Sequence, residues 1–151
     1  KVTLFENAAR VPLIFAWPGV EAKGSKTDSL AEMVDIYPTL ADLGGVQAPG
    51  YLSGVSLVPA LKDPSATLRD SALTQLGSSY SIRTSRYRYT RWGKVSGSAN
   101  AELYDHESDP DELRNLIRDP NQADVVKKMS ALLDERIRDA AESPEGVQQN
   151  H

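Results

Sequence analysis

The most constraining feature of this sequence is a continuous apolar stretch from Val11 to Trp17, which Pro18 and Gly19 close. A strand with one face in water alternates apolar and polar residues, whereas a strand covered on both faces does not. The stretch therefore predicts a strand that is buried on both faces, in a sheet that helices cover. Because Pro12 has no N–H for the ladder, we expect it at the start of this strand or on a sheet edge.

Composition limits the function classes. The 151 residues are 40% hydrophobic and 25% charged, which suits one soluble globular core or two joined halves. A net charge of -4 argues against a nucleic-acid partner, and no apolar run is long enough to span a membrane. Without cysteine, the chain has no disulfide, thiolate metal site or cysteine nucleophile. It begins at Lys1 without a methionine or signal sequence, so we expect it to be cut from a longer precursor.

The remaining elements follow from local patterns. Residues 35–43 predict a short helix with Asp35 at its N-cap, Pro38 in its first turn and Gly44 beyond its end. Residues 50–64 predict an irregular segment. Alternating patterns predict antiparallel strands at residues 71–76, 80–84, 86–92 and 101–105. An apolar stripe at helical spacing predicts an amphipathic helix over residues 121–141.

Most catalytic signatures are absent from the sequence. It contains no G-x-S-x-G elbow, Walker loop or H-E-x-x-H motif, and a serine triad would depend on His106 alone. The acidic run from Asp105 to Glu112 suggests a calcium loop, but its sixth position is Pro110 where an EF-hand needs glycine. We favour a helix capped by Asp109, with Pro110 first and Glu112 third in a capping-box-like arrangement, and we predict no metal ligand in this chain.

A strip of basic and aromatic residues is the candidate substrate-binding region. Its proposed members are Tyr80, Arg83, Arg88 and Trp92, which are of the type that stacks on rings and neutralises anions. The same pattern is also typical of an ordinary exposed sheet face with cross-strand aromatic and charged pairs.

Three blocks, in order, resemble the sulfatases. Residues 1–14 (KVTLFENAARVPLI) look like the stretch that follows the metal-binding Asp-His pair of that family, and residues 34–40 (VDIYPTL) resemble its Asp-x-x-Pro-Thr-Leu helix start. Residues 102–105 (ELYD) with residues 109–116 (DPDELRNL) resemble its C-terminal signature. Residues 80–92 look most like the iduronate-2-sulfatase branch. The resemblance covers the chain from Lys1 to about Leu116.

The resemblance implies an α/β fold, namely the C-terminal part of an alkaline-phosphatase-like sulfatase fold with a small antiparallel sheet packed on a C-terminal helix. Residues 1–60 would then be the end of the α/β catalytic core, with a strand and a helix. Residues 61–151 would form a C-terminal subdomain of antiparallel strands and the amphipathic helix.

Family chemistry uses a formylglycine nucleophile and calcium, whose motifs lie upstream of this region. The resemblance therefore implies Ca2+ in the parent protein, with no ligands in this chain. Lys1 alone matches a catalytic position, the lysine that contacts the sulfate. The implied partners are a sulfated sugar or glycosaminoglycan-like substrate and the remainder of the catalytic domain, and the implied compartment is an exported one. The isolated chain would be inactive.

Two alternatives remain at this point. The chain could be a non-catalytic module that binds an anionic glycan or a protein partner through the Arg and Tyr strip. The parent could also hydrolyse a phosphate ester, because the superfamily uses related sites for both anions.

Overall fold

The computed structural model describes residues 2–93 and 100–142. Contacts within the chain divide these residues into two compact units. The first contains residues 2–13 and 71–137, and the second contains residues 14–70 and 138–142. The predicted domain boundary near residue 60 stays a prediction. The contacts divide the chain after residue 70 and group residues 2–13 with residues 71–137.

The first unit is built on a four-stranded antiparallel sheet. The strands are β1 (Ala72–Leu76), β2 (Ser79–Arg83), β3 (Tyr87–Arg91) and β4 (Ala101–Asp105), and they lie in the order β1-β2-β3-β4. The four predicted strands are confirmed. Gly77, at φ 58°, provides the left-handed backbone that the two-residue turn between β1 and β2 requires.

Helix α4 (Ala123–Ala141) covers one face of this sheet, as its apolar stripe predicts. Met129 and Leu133 of the helix pack with strand residues that alternate along the chain: Ile82, Tyr89, Ala101 and Leu103. Successive side chains of a strand point to opposite faces, so the residues between them lie on the other side of the sheet. That second face carries Ser81, Arg88 and Thr90, all of which are buried.

Residues 2–9 cover the second face of the sheet. They include the short helix α1 (Glu6–Ala9) and the buried side chain of Leu4. The ring of Phe5 lies with its centroid 6.1 Å from that of Trp92 and 5.9 Å from that of Tyr104. The sheet is therefore covered on both faces, and the charged residue Arg88 of β3 lies inside the unit.

The predicted strand at Val11–Trp17 is absent, and this interpretation was wrong for the chain as it stands. These residues form no helix or strand, and the side chain of Ile14 is 85% exposed. A strand buried on both faces needs a flanking strand to complete its hydrogen bonds. In the part of the chain that the structure describes, four strands pair with one another in sequence order, and none of them pairs with this stretch.

The second unit contains a 3₁₀ turn (Met33–Asp35), helix α2 (Ile36–Leu43) and helix α3 (Val58–Lys62). The predicted N-cap at Asp35 and the end at Gly44 are confirmed, but the Asp35 carboxylate makes no capping bond to α2. It accepts hydrogen bonds from the N–H groups of Glu32 (2.7 Å) and Val55 (2.9 Å), and it pairs with Arg69. Because this carboxylate is fully buried, it needs hydrogen-bond donors from the protein, and these three groups provide them.

Helix α3 lies in the segment that was predicted to be irregular. Its five residues are too few to display a helical period, and Pro59 at its second position suggests a loop although a first turn accommodates proline. In the described part of the chain, no helix combines the length and the apolar character that crossing a membrane would require.

Candidate functional site

A cluster of charged side chains lies on the sheet face opposite α4. It consists of Glu6, Arg83, Arg88, His106 and Glu112, and we call it the charged cluster. Arg83 and Arg88 come from β2 and β3, where they are directly paired across the sheet. Glu6 is the first residue of α1, and the other two lie in the loop after β4. The cluster thus joins three separate parts of the sequence.

Arg88 is at the centre of the cluster and is only 2% exposed. Its Nε donates to Glu112 Oε1 at 2.6 Å, and one terminal nitrogen donates to Ser81 Oγ at 3.1 Å. The other terminal nitrogen donates to the Glu6 carboxylate. Burying a guanidinium is costly unless it is paired and hydrogen-bonded, and all three of its nitrogens have partners here. Arg88 therefore holds the two carboxylates together.

Glu112 connects the remaining parts. Its Oε2 accepts the backbone N–H of Glu6 at 2.7 Å, and its Oε1 lies 2.8 Å from His106 Nε2. The backbone of Glu112 has φ 56°, and it is the one non-glycine residue with positive φ in the described ranges 2–93 and 100–142. Such a conformation is sterically unfavourable for a residue with a Cβ and persists where other contacts fix it.

The predicted helix after Asp109 is absent, and the same backbone conformation explains why. A residue at φ 56° cannot continue a right-handed helix, so Glu112 cannot be its third position. Asp109 still caps a turn, accepting the N–H groups of Leu113 (3.0 Å) and Arg114 (2.7 Å). The Glu112 side chain is directed into the charged cluster.

In the cluster, two carboxylates face two guanidinium groups. Burial opposes ionisation of Glu6, but the hydrogen bond and the charge of Arg88, together with the charge of Arg83, hold the pKa of Glu6 below its ordinary value. Burial also lowers the pKa of the Arg83 guanidinium, which the nearby Glu6 opposes. The cluster is therefore a closed set of ion pairs at neutral pH.

Next to the cluster lies an open pocket of about 620 Å³. It is lined by Phe5, Glu6, Asn7, Arg10, Pro110 and Asp111. Phe5 is the aromatic member of this lining. It packs against Tyr104, whose pKa burial raises to about 12. The hydroxyl of Tyr104 therefore stays protonated at neutral pH.

Three residues of the cluster have the composition of a metal site. Glu6, His106 and Glu112 each place one ligand atom within 4.8 Å of the other two. Calcium prefers six to eight oxygen ligands, whereas this set has one nitrogen and two carboxylates. The guanidinium of Arg88 already provides the positive charge between the two carboxylates. The set does not fit calcium.

The structure separates the residues of the predicted substrate-binding strip. Tyr80 packs against the core on the α4 side of the sheet, whereas Arg83, Arg88 and Trp92 lie on the opposite side. The strip is therefore not one surface. Arg83 and Arg88 belong to the charged cluster, whereas Trp92 packs against Phe5. Their role in substrate binding stays a prediction, and so does that of Lys1, which lies outside the described residues.

Sequence reasoning did not identify Glu6, and it assigned other roles to His106 and Glu112. Glu6 and Glu112 are 106 positions apart, so no local pattern relates them. One local signal was present: in β3, Arg88 alternates with Tyr87 and Tyr89. If that strand is buried on both faces, its arginine requires a buried acidic partner.

Comparison with known proteins shows the family of this chain. The family model described as N-sulphoglucosamine sulphohydrolase, C-terminal, matches residues 1–139. The chain belongs to this sulfatase family. Delta 4,5-hexuronate-2-O-sulfatase from Bacteroides thetaiotaomicron is a sulfatase relative, 31% identical over 147 residues, which cover 90% of this chain and 30% of that protein. Arylsulfatase K from Homo sapiens is 33% identical over 129 residues, which cover 77% of this chain and 24% of that protein.

A sulfatase-like fold is also found among solved structures. One, determined in complex with its substrate D-glucosamine-2-N,6-O-disulfate, matches with a TM-score of 0.61 at 25% identity. The match covers 76% of this chain and 25% of that chain. The predicted fold, the C-terminal part of an alkaline-phosphatase-like sulfatase with an antiparallel sheet packed on a C-terminal helix, is confirmed. The chain spans less than a third of the length of the curated relatives described here.

Proposed function

We propose that the protein to which this chain belongs is a sulfuric-ester hydrolase that acts on sulfated sugars, and that the chain supplies its C-terminal part. The observation that carries the proposal is the match of the sulfatase family model across residues 1–139. The relatives support the sugar substrate, since one is named for a sulfated hexuronate and a similar structure holds a sulfated glucosamine. We further propose that the protein is exported.

Within that enzyme we propose that Lys1 contacts the sulfate group. An ammonium group held close to the sulfate oxygens stabilises the negative charge that gathers on them as the ester bond breaks. Arg83, which belongs to the charged cluster, and Trp92, which packs against Phe5, are proposed to form part of the wall that faces the sugar. Tyr80 and Arg88 are further candidates. Calcium is proposed for the parent protein with ligands from outside this chain, because the residues described here do not fit it.

The remainder of the catalytic domain is the proposed partner of the second unit. Met33, Tyr37 and Leu40 are 74%, 59% and 57% exposed and lie at helical spacing along the 3₁₀ turn and α2. An exposed apolar stripe of this kind is typical of a helix that packs against another part of a protein. The rest of the parent's catalytic domain is the occupant that the length of the relatives supports.

The experiment that tests the catalytic proposal compares Lys1→Ala with the whole wild-type protein in sulfate release from a sulfated disaccharide. Removal of one charge-stabilising group is expected to lower kcat by roughly 100-fold. Lys127→Ala is the matched control, because Lys127 is exposed on α4. It is expected to keep wild-type activity. Equal rates for Lys1→Ala and wild type would remove Lys1 from the proposed mechanism.

A further inference from the structure

One carboxylate joins three parts of the first unit. Glu112 accepts the N–H of Glu6 with one oxygen, and its other oxygen accepts a hydrogen bond from Arg88 and lies beside His106. Glu6 is the first residue of α1, and an amide at a helix start has no partner inside the helix. Glu112 thus provides the partner that fixes the start of α1 on the sheet.

Leu4 and Phe5 contact the sheet through apolar and aromatic surfaces and not through hydrogen bonds. Leu4 is buried and Phe5 packs against Trp92 and Tyr104, so these contacts are apolar or aromatic. Such contacts stabilise burial but specify position weakly, whereas a hydrogen bond is directional. The Glu6 side chain adds polar attachments through Arg83 and through Arg88, and Glu112 itself holds Arg88 in place.

The backbone of Glu112 provides an independent observation. Its φ of 56° is unfavourable for glutamate, and residues kept in such conformations cluster at functional sites. The side chain is almost completely buried, and its hydrogen bonds run to groups far away in the sequence. Glu112 thus adopts this unfavourable conformation at the position from which its carboxylate contacts both α1 and β3.

We propose that Glu112 is a positioning residue of the parent enzyme, which fixes residues 2–9 on the sheet and so fixes the chain that directly follows Lys1. The inference rests on the proposed function, because the role of Lys1 belongs to that proposal. A group that stabilises a transition state must be held within a fraction of an ångström, so a loosened attachment reduces kcat more than it changes KM.

Two conservative variants separate positioning from simple charge balance. Glu112→Asp keeps the negative charge beside Arg88 but withdraws the carboxylate by one carbon–carbon bond, about 1.5 Å. Glu112→Gln keeps the length and an oxygen that accepts the Glu6 N–H, but removes the charge. Positioning predicts the larger effect for the aspartate variant, whereas charge balance alone predicts it for the glutamine variant.

The test uses the whole parent protein and two readouts, amide hydrogen exchange at Glu6 and the kinetics of sulfate release. In Glu112→Asp we expect exchange at Glu6 to be at least about tenfold faster and kcat to be at least about tenfold lower, with KM within about twofold of wild type. In Glu112→Gln the Glu6 N–H can keep its acceptor while Arg88 loses its charged partner, so we expect exchange at Glu6 and kcat to change less than in Glu112→Asp. Leu133→Ala is the control for lost stability, because it opens the core on the α4 side, and its kcat per folded molecule should be unchanged.

If exchange at Glu6 and kcat in Glu112→Asp equal those of wild type, the inference is overturned. A larger effect in Glu112→Gln than in Glu112→Asp would also overturn it. If the wild-type parent releases no sulfate, the proposed function fails. The exchange readout still decides whether Glu112 fixes residues 2–9: faster exchange at Glu6 in Glu112→Asp supports the attachment, and unchanged exchange refutes it.

Discussion

At the scale of single residues, the charged cluster is where the sequence was least informative. Glu112 was interpreted as part of a local capping box, whereas it bonds to Glu6, 106 positions away. Patterns along the chain report the face on which a residue lies, but not which distant residue will neutralise it. Asp35 is a similar case: its position at the start of α2 could be predicted, but its bonds to Val55 and Arg69 could not.

Glu6 leads to a prediction about pH. Its pKa in the folded protein lies below the ordinary value, so the unfolded chain binds more protons in the acid range. The stabilisation is therefore present above the ordinary pKa of a glutamate and is lost as the pH falls through the lowered value. We expect the free energy of opening of the first unit to decrease in this acid range, as measured by hydrogen exchange of the β3 amides.

The matched variants for this prediction are Glu6→Gln and Glu135→Gln. Glu6→Gln removes the titrating group and should flatten the acid dependence, whereas Glu135 is exposed on α4 and its replacement should leave the dependence intact. An identical acid dependence in Glu6→Gln and wild type would show that Glu6 is not its source.

At the scale of elements, the strands and α4 could be predicted because their signals are local. Alternation along β2 to β4 and the apolar stripe of α4 each repeat within a few residues. The apolar run at residues 11–17 is an equally clear local pattern, but the strand that it predicts is absent. The composition of these residues favours burial on both faces, but strand formation also requires pairing with a neighbouring strand, and none of the described strands pairs with them.

The packing of α4 on the sheet leads to a prediction about stability. Leu133 is completely buried against the strands, so Leu133→Ala removes apolar contacts and leaves a cavity. The expected cost is about 2–5 kcal/mol in the free energy of opening at the amides of β3 and β4. Glu135→Ala, on the exposed side of the same helix, should change it by less than about 0.5 kcal/mol. Equal effects of the two variants would contradict the packing of α4 described here.

The exposed stripe of α2 leads to a prediction about association. The isolated chain is expected to self-associate, because Met33, Tyr37 and Leu40 expose apolar surface along one line. Tyr37→Lys combined with Leu40→Lys should reduce the mass measured by light scattering after size exclusion. Gln47→Lys with Thr67→Lys adds the same charge at exposed positions elsewhere in this unit and is the control. A wild-type chain that runs as a monodisperse monomer would contradict the prediction.

At the scale of the whole molecule, family and fold could be predicted because three sequence blocks occur in order, and the family match over residues 1–139 agrees with them. The arrangement of charges inside the first unit came only from the structure. Together they describe a C-terminal sulfatase region that joins the segment after Lys1 to its sheet through Arg88 and Glu112.

The assignment of the parent protein as a sulfuric-ester hydrolase is tested most directly by comparing two rates of anion release. The purified whole protein is given a sugar sulfate ester and the corresponding phosphate ester as matched substrates. We expect the protein to release sulfate at a rate well above that of phosphate. Release of phosphate alone, or of neither anion, would contradict the assignment of the parent protein as a sulfuric-ester hydrolase.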